Sequence, residues 1–101
     1  MTSYFPQGGD VTLLSAAATT GSAVAISRGT FAWSAWGTWD GGSAALQWSP
    51  NSGTTWIDLD IDTLTANGGS FNLPLPRGHV RVAISGAGGS TSLSSDLRMV
   101  G

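Results

Sequence analysis

The sequence predicts an all-β chain, a single compact β-sandwich or jelly-roll-like domain of about seven to eight short antiparallel strands. Three observations carry that expectation. Short apolar runs are punctuated by 15 Gly, 4 Pro and abundant Ser and Thr. Good helix formers are scarce, with no Glu and no Lys anywhere, whereas residues that suit a pleated surface are common. Turn signals recur every 8 to 12 residues or so, the spacing of a sandwich. At 101 residues the chain fits one domain with a modest core.

Residues 1–10 read as an N-terminal arm, and 11–101 as the sandwich. The arm holds Tyr4 and Phe5, then Pro6 and Gly8-Gly9, without periodicity. It is either a frayed terminus or a segment that docks Tyr4 and Phe5 onto a neighbouring subunit. Strands follow at 11–17 and 23–27, separated by Thr19-Thr20-Gly21-Ser22. Residues 29–39 form the next strand, and Asp40-Gly41-Gly42 supplies a hairpin-type turn. The clearest feature is the hairpin of residues 44–61, where Leu46 and Trp48 alternate with Gln47 and Ser49. Beyond its turn, Thr55, Ile57, Leu59 and Ile61 alternate with Trp56, Asp58 and Asp60. Three consecutive strands, 30–39, 43–49 and 54–61, are thus expected side by side. Phe71, Leu73 and Leu75 mark a strand at 70–75 that Pro74 and Pro76 confine to an edge. Residues 79–85 place Val80, Val82 and Ile84 inward and His79, Arg81 and Ala83 outward; Leu93, Leu97 and Met99 mark the last strand.

Composition narrows function by exclusion. Only 10% of residues are charged, against roughly a quarter in an average soluble domain. A surface built from Ser, Thr, Asn and Gly is weakly defended against association, so a homo-oligomer or another assembly is expected. Four Arg, no Lys and a net charge of −2 leave no basic stripe for nucleic acid. The absence of Cys removes disulfides, thiol catalysis and Cys-containing zinc sites. No apolar run is long enough for a transmembrane helix, and the first residues lack a signal-peptide pattern. Synthesis in a host cytoplasm is expected, with no membrane partner.

Ser49-Pro50-Asn51-Ser52-Gly53-Thr54-Thr55-Trp56 resembles the Asp-box, Ser-x-Asp-x-Gly-x-Thr-Trp, of sialidase-like and other β-propellers. There it forms a hairpin turn away from the catalytic centre. Asn51 stands where Asp is usual, and Ser49, Asn51, Gly53, Thr55 and Trp56 are the matching positions. One copy in so short a chain cannot build a propeller. The likeness implies a rigid hairpin and no sialidase activity. The longer run Leu-Gln-Trp-Ser-Pro-Asn-Ser-Gly-Thr-Thr-Trp-Ile-Asp, with the later Pro-Arg-Gly-His-Val-Arg-Val-Ala-Ile-Ser-Gly, looks like small virion proteins of tailed bacteriophages. That resemblance implies a structural role, such as a capsid decoration or cement protein held to the major capsid protein or another virion protein, with localisation in the virion.

Asp58, Asp60 and Asp62 share one strand face, which suggests either calcium or a solvated row paired with Arg77, Arg81 or Arg98. An EF-hand loop fails, because Thr63 falls where its Gly is needed and Gly69 where its Glu is needed. No metal and no cofactor is expected. Trp33, Trp36, Trp39, Trp48 and Trp56 are mostly core by default; an exposed one suits a subunit contact better than a sugar. For Trp56 the turn motif favours a lid over the hairpin. His79 and Asp96 with a Ser could be arranged as a triad on paper, but no strained nucleophile motif supports it. No catalytic residue is therefore assigned and a non-enzyme is expected. The candidate partner-binding residues are Tyr4, Phe5, Trp36, Trp56, Asp58 and Asp60. The alternative to decoration is a carbohydrate or host-receptor binding module of a tail fibre.

Overall fold

A computed structural model of the chain describes residues 10–59, 61 and 63–100. Eight strands run in chain order: β1 (Val11–Ala17), β2 (Val24–Ile26), β3 (Gly29–Thr38), β4 (Ser43–Ser49), β5 (Ile57–Asp58), β6 (Gly68–Leu75), β7 (Gly78–Ser85) and β8 (Ser92–Met99). They form two four-stranded antiparallel sheets, ordered β1-β8-β3-β6 and β2-β7-β4-β5. First pairs with last, second with seventh, third with sixth and fourth with fifth. This is a long antiparallel ribbon folded at β4/β5 and rolled up, the winding of a jelly roll.

Alternation within the strands explains the core. Phe31, Trp33 and Ala35 on β3, Leu93 and Leu97 on β8, and Leu73 and Leu75 on β6 point inward from one sheet. Ala44 and Leu46 on β4, Val80 and Val82 on β7, and Ile26 on β2 meet them from the other. Ser95 shares the inward parity of Leu93 and Leu97 and is fully buried. It accepts a hydrogen bond from Trp33 Nε1 at 2.8 Å and donates one to the Ser34 carbonyl at 2.7 Å. Both polar groups are thereby satisfied away from water.

The structure corrects the expected three-strand meander. β3 and β4 lie in different sheets. The turn itself forms: Gly42 N donates to Trp39 O at 2.7 Å, with positive φ at Asp40 and Gly41, the backbone that a tight hairpin turn requires. The apolar faces of β3 and β4 nonetheless join one buried cluster from opposite sides. The local turn reverses the chain, and burial decides that the reversal is an arch between sheets. Consequently β4 pairs with β7 along its whole length, Ser43↔Ser85 to Ser49↔His79.

Three smaller differences follow from edges and bulges. The second hairpin arm shrinks to Ile57–Asp58; Thr55 is exposed and Ile57 is 45% exposed, on a strand at the edge of its sheet. Leu59 and Ile61 still pack on the core, and Leu64 returns to bridge Ala44. On β6 the register shifts between Ser70 and Leu73, opposite Trp33 and Phe31, so two residues face one and Phe71 turns outward to 66% exposure. Met99, at the end of β8, is also partly exposed. β6 is an edge strand, as its prolines require.

Replacing Ser95 by Ala is expected to leave the buried Trp33 N–H without an acceptor and to cost about 1–3 kcal/mol. Urea denaturation followed by tryptophan fluorescence measures this; an unchanged midpoint would remove Ser95 from the account of the core.

Candidate functional site

The five tryptophans sort by what their indole nitrogens do. Trp33 donates to Ser95, Trp39 to Asn67 Oδ1 at 2.8 Å, and Trp48 to the Pro76 carbonyl at 3.2 Å. These three are structural. Among the described residues, no intramolecular indole hydrogen bond holds Trp36 or Trp56. They occupy opposite outer faces of the sandwich.

Trp56 belongs to the turn between β4 and β5, and the turn is built by side chains reaching backbone. Ser49 Oγ accepts from Gly53 N at 2.8 Å and from Asn51 N at 3.3 Å, and donates to Asn51 Oδ1 at 3.0 Å. Asn51 Oδ1 also accepts from Thr55 N at 2.8 Å, while Asn51 Nδ2 donates to Thr55 Oγ1 at 3.1 Å. A short Asx side chain suits this closure because it mimics a backbone turn. Gly53 has φ +92°, a left-handed backbone that glycine adopts without steric cost. Ser49 is buried under the turn although its parity points outward.

From this turn a polar row crosses the outer face of the β2-β7-β4-β5 sheet. The pairs Gln47↔Asp58 and Gln47↔Arg81 bring three side chains into line. Gln47 Nε2 donates to Asp58 Oδ1 at 2.7 Å, and Arg81 Nε donates to Gln47 Oε1 at 2.7 Å. The Arg81 guanidinium then stacks over the Trp56 ring, 4.4 Å from its centroid. Asp58 thus reaches Arg81 through Gln47 and makes no direct ion pair with it. Gln47 was not among the sequence candidates. The signal for it lay in its outward parity, usable only once β7 is known to be its neighbour.

On the other outer face Trp36 is 42% exposed, opposite Ser94 of β8. Its surroundings are small and polar. Asp96 and Arg98 on this face pair with each other at 3.2 Å, and Asp10 lines a hollow with them. Asp96 and His79 therefore project from opposite faces with the core between them, and no triad is assembled from them. Among the described residues no three of His, Cys, Asp and Glu come together in a way that could hold a metal. Tyr4, Phe5, Asp60 and Asp62 lie outside the described residues.

The chain matches no family model, no curated protein and no solved structure. Its chemistry is accordingly read from its own residues. No described helix is long and apolar enough to cross a membrane.

The turn makes a paired test possible. Asn51→Ala removes both of the Oδ1 acceptor contacts and the Nδ2 donor, and is expected to cost about 1–2 kcal/mol. Asn51→Asp keeps the acceptor for Thr55 N and is expected to stay within about 0.5 kcal/mol of the parent. Chemical denaturation of both variants checks this, and equal losses would show that the side chain does not close the turn.

Proposed function

We propose that this chain is a non-enzymatic virion structural protein, a capsid decoration or cement protein that binds the particle surface and stabilises it as an oligomer. The observation that carries the proposal is the outer face of the β1-β8-β3-β6 sheet. It carries few charges, Asp96 and Arg98 with Asp10 at its margin, and it presents Trp36 without an intramolecular indole hydrogen bond among the described residues. A large exposed aromatic beside Ser34 and Ser94 is a residue type enriched at contact centres, and the Asp96–Arg98 pair beside Ser34 and Ala32 would lie in the same contact. The jelly-roll winding supports the same reading, since this architecture serves viral capsid domains among others. It does not decide function alone, because one fold hosts many activities. The resemblance of the central block to small phage virion proteins points the same way.

A carbohydrate or receptor-binding module of a tail fibre is the competing reading. It draws on an open aromatic ring for stacking. Trp56 offers little, because Arg81 covers one face of its ring and Gly53 packs against its six-membered part.

Peptide mass spectrometry of purified particles is expected to find the chain in stoichiometric copies, and its absence from them overturns the proposal. Trp36→Asp is expected to reduce particle occupancy by about tenfold or more, while its half-exposed position keeps the change in folding stability within about 1 kcal/mol. Retained occupancy would move the contact away from this face.

A further inference from the structure

A cleft of about 470 Å³ opens beside the Ser49–Trp56 turn, lined among others by Ile26, Ser27, Pro50, Ser52, Arg77 and His79. It is distinct from the Trp36 face, since it belongs to the end of the other sheet where Ile26 pairs with Gly78 and Ser49 pairs with His79. Its volume falls within the range of small-ligand sites, about 300–1,000 Å³.

Its lining is one-sided in charge. Arg77 supplies a positive charge beside His79, and no carboxylate among the described residues lines it. The ion pair found among the described residues uses Arg98 instead. The side chains of Ser27, Ser52, Arg77 and His79 enter none of the hydrogen bonds among the described residues. Four polar groups therefore line one space, exposed or half-buried, with no side-chain hydrogen bond among the described residues. Arg28, on the neighbouring arch between β2 and β3, flanks Pro76 in an adjoining hollow and adds a second guanidinium to this end of the molecule. Ile26 and Pro50 supply an apolar wall.

The walls are also held in place. Pro50 and Ser52 ride on the turn closed by Ser49 and Asn51. Gly78, between Arg77 and His79, lies so close to the Trp48 indole and the Ser49 carbonyl that a Cβ would come within 2.5 and 2.7 Å of them. Tight packing there fixes the backbone that carries Arg77 and His79, so a ligand would have to order side chains rather than main chain.

We infer that this cleft is a binding site for a small oxyanion-bearing ligand about the size of one sugar ring, its carboxylate or phosphate held by Arg77 and the Ser27 and Ser52 hydroxyls. Guanidinium is the side chain best matched to such groups, through paired charge-assisted hydrogen bonds. The apolar wall of Ile26 and Pro50 takes the carbon skeleton. The inference does not rest on the virion reading, and either can fail without the other.

The test is titration of the full chain, labelled with ¹⁵N, with glucuronate, glucose 1-phosphate and glucose in parallel. Saturable shifts of the Ser27, Ser52, Gly78 and His79 amides with either anion, and none with neutral glucose, are expected. Arg77→Gln should weaken that binding about tenfold or more, a loss of about 1.4 kcal/mol, whereas Arg98→Gln on the opposite face should leave it unchanged. Matching urea midpoints confirm that both variants fold. No saturable shift with either anion, equal shifts with glucose, or an unaltered response in Arg77→Gln overturns the site.

Discussion

The buried indole of Trp33 is the constraint on which the rest of the sandwich depends. It is the largest fully buried side chain, and it sits on β3, between β8 and β6. Its bulk fills the space between the sheets, but its N–H would be costly there without an acceptor. Ser95 meets that need from β8 and passes its own proton to the Ser34 carbonyl. One serine thus bonds both the side chain of β3 and its backbone. Slipping the β3/β8 register by one residue would send Ser95 to the solvent face and bury Asp96 or Ser94 in its place. Because β8 also carries β1, and β3 carries β6, that single register orders the whole sheet.

A β-protein without lysine must protect its edges by other means. β2 has three residues and β5 has two, too short to template another strand. β6 carries Pro74 and a register shift at Phe71-Asn72. β1 shifts register twice along β8 and holds Ala16 at φ 49°. All four edges are therefore short, bulged or proline-bearing. Edge pairing is thereby made poor, and any association has to use the faces, where side-chain identity can control it.

Much of the strand content was legible in the sequence, because alternation is a local signal. Val80, Val82 and Ile84 turned inward as their spacing requires, and β1, β4 and β7 lie within a residue of their expected bounds. The sheet to which each strand belongs was not legible. Asp40-Gly41 makes the same tight turn whether its flanking strands pair or separate, so only long-range burial distinguishes a hairpin from an arch. Phe71 was misplaced for a related reason: a bulge on β6 depends on how β3 lies beside it, which alternation within β6 does not encode. The cleft residues Ser27, Ser52 and Arg77 come together only through the β2/β7 and β4/β7 pairings, so no contiguous motif announces them.

Trp36 and Trp56, the tryptophans without an indole hydrogen bond among the described residues, differ in what they would surrender on binding. Trp56 already stacks against Arg81, which is itself bonded to Gln47 and through it linked to Asp58. A partner using that ring must displace the guanidinium, an interaction of about 0.5–1 kcal/mol at an exposed site, and disturb a row that spans three strands. Trp36 has no such tie among the described residues, so covering its ring breaks no contact of its indole nitrogen within them, although the Ser34 and Ser94 hydroxyls beside it would need partners in a contact. The single Asp96–Arg98 pair on that face is already neutralised. A contact formed there gains aromatic burial at small cost to the folded chain, whereas the row at Trp56 is worth more to the protein intact. The side-chain hydrogen bonds thus tie the Trp56 turn to rigidity, and the proposed contact at Trp36 would leave them intact.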